Sequence, residues 1–245
     1  MSRWQRLERE RGDVRPKALG GDRRSGLQLR RAAALLQAAR HHAQKKTAHA
    51  AEQDRPDVLK KRAAWFKGQV VLDPERLVVI DETWASTNMA RRHGRCRRSE
   101  RYRVGVPHGH RKTTTVVGAL TLRGLVVPLV LDGPINREVF ETYIEKVPVP
   151  DLWPGDVEIM DNLSSHTGDK VRELIESAGA TLRFLPLRSS NFNPIENAFA
   201  KLKALLRKAG ERTVTDLWST IGRLVDQFTP IECRNYFAAA GYDAT

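Results

Sequence analysis

The stretch VEIMDNLSSHTGDKVRELIESAGATLRFLPLRSSNFNPIENAFAKLKALLRKAG, residues 157–210, decides the fold. It opens on an apolar, strand-like run from Val157 to Asp161. Val171, Leu174, Ile175 and Ala178 follow at helical spacing, Gly179 stops that helix, and a second apolar run extends from Thr181 to Leu185. Two strands joined through a helix in this way lie parallel in one sheet. The stretch closes on Ile195, Ala198, Phe199, Leu202, Leu205, Leu206 and Ala209, a single apolar helix stripe ended by Gly210. Asn193 suits the N-cap, Pro194 the first helical turn, and Glu196 falls within that turn.

Working outward, Leu77 to Asp81 reads as a strand buried on both faces, because four consecutive apolar residues leave no polar side. Residues 102–106, 113–122 and 125–131 read as further strands, the last two joined by a tight hairpin at Arg123-Gly124. Asn136 then caps a helix whose face carries Val139, Phe140, Tyr143, Ile144 and Val147. Beyond Gly210, one helix carries Leu217, Ile221, Leu224, Val225 and Phe228, and another opens on a Thr229, Pro230, Glu232 capping box. Antiparallel strands followed by alternating helices and parallel strands give an α/β class, a mixed sheet flanked by helices. In such sheets ligands bind beyond the carboxyl ends of parallel strands, where Asp81 and Asp161 are expected.

The 245 residues suffice for one substantial core and an appendage. Of the formal charge of +13, eleven units fall within residues 1–70. That region reads as a basic arm, largely helical or disordered, with one helix over Leu27–Ala43 and another after Pro56; its charge implies a polyanionic partner. Cys96 and Cys233 make neither a zinc pattern nor a disulfide framework. The longest apolar run, Leu125–Leu131, is too short to cross a bilayer, and the charged N-terminus has no secretory signal. The expectation is a soluble, cytoplasmic protein with no membrane partner.

Two strand-terminal aspartates and one helix-borne glutamate match the needs of phosphodiester chemistry, in which two divalent ions activate the attacking oxygen and stabilise the leaving one. Hard ions such as magnesium take carboxylate oxygens, and three converging carboxylates repel one another unless cations or protons intervene. Each acid also has a plainer reading. Asp81 and Asp161 fit strand-end turns, and Glu196 fits the third position of a capping box on Asn193. On the same helix border as Glu196 come Ala200, Lys203 and Arg207, a track suited to phosphates.

IDET around Asp81, DNLSSH around Asp161 and NPIENAFAKLKALL around Glu196 resemble the three catalytic motifs of mariner-type DDE transposases from bacterial insertion sequences. The resemblance extends over roughly residues 45–242. It implies a ribonuclease H-like fold, with Asp81, Asp161 and Glu196 holding two Mg2+ or Mn2+ ions. It implies cleavage at transposon ends and transfer of the 3′ hydroxyl into target DNA, so double-stranded DNA is the partner, and synapsis of two ends suggests a homodimer. The corresponding division is an arm over residues 1–70 that is a truncated helix-turn-helix and linker remnant, a catalytic domain over 71–212, and C-terminal helices over 213–245 packed on it. A decayed or repurposed copy that binds DNA without cutting it is the alternative.

One departure concerns the loop LRSSNFNPIE, where relatives commonly carry two prolines around a tyrosine; without them a looser loop is expected ahead of Glu196. His166 and Asn162 stand as second-shell candidates beside Asp161, and a local hydrogen bond explains His166 equally well. Arg91 to Arg103 is the densest cationic run of the core that follows the basic arm, read either as a solvated loop or as a DNA backbone contact. The DNA-binding candidates are accordingly Arg23, Arg24, Arg95, Arg97, Arg98, Lys203 and Arg207. His108 and His110 alternate but lack further ligands at a metal spacing, so they read as loop.

Overall fold

The computed structural model describes residues 54–106, 111–163 and 166–242. Its strands are β1 (Leu77–Ser86), β2 (Thr113–Thr121), β3 (Gly124–Asp132), β4 (Val157–Met160) and β5 (Thr181–Phe184). They form one five-stranded sheet in the order β3-β2-β1-β4-β5. β1 is antiparallel to β2 and β2 to β3, whereas β1 with β4 and β4 with β5 are parallel. The mixed sheet expected from the sequence is present. Pro128 lies on β3, the edge strand, and the β2–β3 register shifts between Val117 and Ala119; an edge is where a residue without an N–H is tolerated.

Among the described residues six α-helices accompany the sheet: α1 (Pro56–Gln69), α2 (Arg137–Lys146), α3 (Asp169–Ser177), α4 (Ile195–Ala209), α5 (Val214–Val225) and α6 (Pro230–Ala239). Strand alternation sorts them into two layers. Leu77, Val79 and Ile159 belong to a cluster with Ile195, Phe199 and Leu202 of α4, Ile221 of α5 and Phe237 of α6. Ile80, Met160 and Val117 point the other way, onto Phe140 and Ile144 of α2 and Val171 and Ile175 of α3. Both faces are covered, which is why β1 begins as an unbroken apolar run. Asn136 accepts from the Val139 amide, Gly210 closes α4 at φ +70°, and the Thr229–Glu232 capping box is formed, all as the sequence indicates.

Several sequence expectations are corrected. Residues 102–106 form no strand; Tyr102, Val104 and Val106 are exposed, and among the described residues no strand pairs with them to complete a ladder. β1 does not end at Asp81 but runs on to Ser86, because β2 keeps pairing with it as far as Thr113. Val139 faces solvent rather than the core. The helix expected after Pro56, by contrast, is present as α1 and buries Val58 and Gln69. The reading of Leu27–Ala43 as helix, Arg23 and Arg24, and the loop reading of His108 and His110 lie outside the described residues. Among the described residues no helix is long and apolar enough to cross a membrane.

β4 also carries a buried carboxyl that no ion pair accounts for. Glu158 is fully buried, neither of its side-chain oxygens has a hydrogen-bond partner, and burial pushes its pKa up to about 8. A carboxyl raised in the folded state binds its proton more tightly there than in the unfolded chain. Stability is therefore greatest below the unfolded pKa and falls as pH rises toward about 8. Glu158→Gln is expected to flatten that fall and to stabilise the protein by several kcal/mol at mildly alkaline pH. Urea unfolding at a series of pH values checks it: equal slopes for parent and variant would show that Glu158 does not carry the penalty.

Candidate active site

The parallel register between β1 and β4 sets the site. Ile80 lies opposite Met160, so the next residues on the two strands are Asp81 and Asp161. By alternation both aspartates share the parity of Val79 and Ile159, the face covered by α4. Glu196 stands in the first turn of that helix, and its charge contributes to raising the pKa of Asp81. Three acids far apart in sequence are thus gathered at one edge of the sheet.

Asp81 is only 7% exposed. Its Oδ1 accepts the Glu82 amide at 2.7 Å, and its Oδ2 accepts the Asn193 side-chain amide at 2.8 Å. Burial is the main reason its pKa is pushed up to about 7; the neighbouring charge of Asp161 adds to the shift, and the Glu82 amide opposes it. Asp161 is half-buried, and its Oδ1 accepts from the Leu163 amide at 3.3 Å and lies 2.6 Å from His166 Nδ1. No other contact engages Oδ2 of Asp161 among the described residues.

His166 is fully buried, stacked on Phe140 with ring centroids 4.1 Å apart. Burial by itself depresses an imidazole, but hydrogen bonding to Asp161 and the nearby Glu82 outweighs it and raises His166 to about 9. At neutral pH the ring is therefore protonated and Nδ1–H donates to Asp161. Nε2 stands 3.7 Å from Glu82 Oε2, an ion-pair distance too long for a good hydrogen bond. The imidazolium compensates one carboxylate on each side. Asn162, by contrast, is exposed and lines a cleft of about 540 Å³ between α1 and the end of β5, together with Lys61 and Arg183.

Beside the acids runs a cationic flank. Lys203 sits with Nζ 4.9 Å from the ring centroid of Trp84, which is half exposed. Burial lowers the Lys203 pKa, while the charges of Glu196 and Asp81 raise it and those of Arg207 and Arg92 lower it, so all five groups are close neighbours. Arg207 is likewise lowered by burial and by Arg92. The helix track of Lys203 and Arg207 therefore does adjoin the acids. Arg95, Arg97 and Arg98 lie in an exposed irregular segment with no contact to the acids.

The side chain of Asn193 does not cap α4 as the sequence suggests. Pro194 occupies the N-cap position, the Asn193 carbonyl accepts the Glu196 amide at 3.3 Å, and the Asn193 side chain is spent on Asp81. The reciprocal capping box with Glu196 is absent, and the Glu196 side chain is exposed with no hydrogen bond among the described residues. Trp84 was not singled out by the sequence reading, Asn193 was read only as a helix cap, Glu82 only as part of the IDET motif and Arg92 only within the Arg91–Arg103 run. A loop asparagine that reads as a generic helix cap gives no sign that a partner 112 positions away claims its amide.

The donor set fits hard divalent cations: carboxylate oxygens alone, with two like charges forced together at a buried strand edge. As it stands, no group of three or more His, Cys, Asp or Glu among the described residues encloses a metal position. Asp81 and Asp161 are held in place, while Glu196 is free to turn. Mg2+ or Mn2+ held by the three acids would relieve the repulsion that raises Asp81.

The family model of DDE superfamily endonucleases matches residues 76–217. Among solved structures, a Mos1 transposase paired-end complex with the left transposon end is similar at 15% identity and a TM-score of 0.64, covering 97% of this chain and 81% of that one. A Mos1 mariner paired-end complex with Mn gives 13% identity, TM-score 0.64 and the same coverages. The catalytic domain of Mos1 mariner transposase gives 14% and 0.56, covering 80% of this chain and 91% of that one. Comparison with curated protein sequences gives no match. At these identities the likeness carries the fold, the ribonuclease H-like arrangement of those transposases.

The strain among the acids has a measurable consequence. Because the Asp81 pKa is raised to about 7, its cost to stability is absent below the ordinary carboxylate range and complete above about pH 7. In chelator near pH 8, Asp81→Asn is expected to raise stability by on the order of 1–2 kcal/mol, or roughly 2–8 °C in Tm. The gain should vanish below about pH 4. Thermal melts across that range test it; a variant less stable than the parent at alkaline pH would contradict the electrostatic account.

Proposed function

We propose, since the chain belongs to the DDE superfamily endonucleases, that it is a transposase-type enzyme that cleaves phosphodiesters at transposon ends and transfers the freed 3′ hydroxyl into target DNA. The observation that carries this reading is the alignment of Asp81 with Asp161 on neighbouring parallel strands, facing the helix turn that bears Glu196. We assign Asp81, Asp161 and Glu196 as the residues that would hold two Mg2+ or Mn2+ ions. When bound, such ions activate the attacking oxygen and stabilise the leaving oxygen of the phosphodiester.

The protein's own groups prepare that chemistry. Glu82 N–H and Asn193 fix the two oxygens of Asp81, so the carboxylate cannot rotate away from the sheet edge. His166 holds Oδ1 of Asp161, and Oδ2 has no hydrogen bond among the described residues that an ion would have to displace. Glu196, exposed and unbonded, can swing toward the aspartates without breaking a contact. Lys203, Arg207 and Arg92 supply positive charge beside the acids, where a DNA backbone would run, and such contacts position DNA without reading its sequence. The Mos1 structures include complexes with transposon ends and a strand transfer complex; by analogy we assign double-stranded DNA as partner and a dimer as the working assembly, in a protein of bacterial insertion-sequence type acting in the cytoplasm. On this reading residues 1–70 include a remnant of an end-binding module, 71–212 the catalytic domain and 213–245 its C-terminal helices.

Nicking of supercoiled DNA carrying the element's own flanking repeats is expected with Mg2+ or Mn2+ and to be absent with chelator. Asp81→Asn, Asp161→Asn and Glu196→Gln should each drop to the chelated background while keeping the parental circular dichroism spectrum. Variants that nick like the parent would overturn the assignment. A parent that binds DNA but never nicks would identify a copy that has lost catalysis.

The cationic flank is tested separately by affinity. Lys203→Ala should weaken DNA binding uniformly across sequences and reduce the slope of log K against log salt by about 1. An unchanged slope in fluorescence anisotropy titrations would remove Lys203 from the phosphate contacts.

A further inference from the structure

The loop that delivers Asn193 and Glu196 is expected from its sequence to be loose, yet in the structure it is held by several side chains. Residues 188–193 are gripped from outside by α1. Arg62 Nη1 donates to the Arg188 carbonyl at 3.2 Å and to Ser189 Oγ at 2.8 Å, and Nη2 donates to Asn191 Oδ1 at 3.0 Å. The same guanidinium lies over the Phe192 ring, 5.0 Å from its centroid. One planar cation thus engages four residues of the loop, Arg188, Ser189, Asn191 and Phe192, a use of geometry that a lysine cannot copy.

Backbone and helix periodicity both accommodate this grip. Arg188 adopts φ +57°, a left-handed conformation that a non-glycine residue takes only when its surroundings compel it, and its carbonyl is one of the Arg62 acceptors. On α1, Val58, Arg62, Trp65 and Gln69 recur at helical spacing and form one inward face. Trp65 donates to the Tyr242 hydroxyl at 3.3 Å, and that hydroxyl donates to the Phe192 carbonyl at 2.9 Å. Gln69 donates to the carbonyl of Gly241 at 3.2 Å. Three segments distant in sequence therefore meet on the loop, and Phe192 is held by ring, carbonyl and cation at once.

We infer that Arg62 is a positioning residue for the acidic site: it fixes the loop so that Asn193 reaches Asp81 and the first turn of α4 presents Glu196. The path is short. Phe192 N–H bonds to Ser189 and Asn193 N–H to Ser190, closing a helical turn directly ahead of Asn193. Ser189 is buried and Asn193 is buried, so a shift of the turn displaces the Asn193 amide from Asp81 Oδ2. Arg62 touches no acid and no reacting atom; it acts through the loop alone. As far as it concerns ion binding, the inference rests on the two-ion reading above.

The test uses the full chain with Arg62→Ala, Arg62→Lys and, as control, Arg76→Ala, which removes a comparable arginine contact to Pro154 and Asp156 at the opposite end of β1. Hydrogen exchange read by mass spectrometry over peptides covering 188–197 reports the loop without reference to activity. Arg62→Ala is expected to exchange roughly 10-fold faster at the amides of Phe192, Asn193 and Glu196, with β1 and β4 unchanged. Arg62→Lys should fall between, and Arg76→Ala should match the parent. Calorimetric titration with Mn2+ should show half-saturation about 10-fold higher for Arg62→Ala than for Arg76→Ala. Unchanged loop exchange in Arg62→Ala overturns the inference, as does faster exchange with parental Mn2+ binding. If the parent itself takes up no Mn2+, the two-ion reading falls, and faster loop exchange would still support Arg62 as the residue that holds Asn193 in place.

Discussion

Two carboxylates cannot be pressed together at a buried strand edge without cost, and the architecture around β1 and β4 follows from that constraint. The parallel register leaves Asp81 and Asp161 as neighbours, and burial with mutual repulsion drives Asp81 to a pKa of about 7. The surrounding groups moderate this repulsion without abolishing it. An imidazolium bridges Asp161 and Glu82 on one side, an asparagine amide and a backbone N–H cap Asp81 on the other, and Lys203 lies within electrostatic reach. On the proposed reading, the repulsion that remains uncompensated is what would draw a cation to the site.

The support comes from both layers of the fold. His166 arrives from the α2–α3 side, packed on Phe140, whereas Asn193 arrives from the α4 side on a loop braced by α1 and Tyr242. Each aspartate thus has its own anchor, and the two anchors do not share a chain segment. Glu196 is the exception, the one of these three acids whose side chain has no hydrogen bond among the described residues. If the three acids hold ions as proposed, a fixed pair with a movable third ligand would let the ligand count change as a substrate enters.

Much of this was legible in the sequence because it rests on periodicity. The helical stripe from Ile195 to Ala209, the run Leu77 to Ile80 and the strand, helix, strand unit ending in β5 each bury a face, and burial leaves its period in the residue order. Asp81, Asp161 and Glu196 were legible for a related reason, standing where apolar runs stop or a helix begins. Relations that depend on tertiary contact were not. Tyr102, Val104 and Val106 alternate like a strand but have no neighbour to pair with, and β1 continues past Asp81 because β2 stays beside it. Asn193 carries a cap signature that its bond to Asp81 overrides. The missing prolines of the loop pointed to slackness, and no local pattern announces that Arg62, on a helix more than a hundred residues earlier, restrains it.

The account turns on whether the acids at this sheet edge bind divalent ions together. Crystals of the full chain soaked in Mn2+ and measured at the manganese absorption edge test that most directly. Anomalous peaks lying between Asp81 and Asp161, with the Glu196 carboxylate turned in to meet them, are the predicted result. Peaks confined to other surface acids, with Asp81 and Asp161 still bonded only to Asn193 and His166, would contradict it.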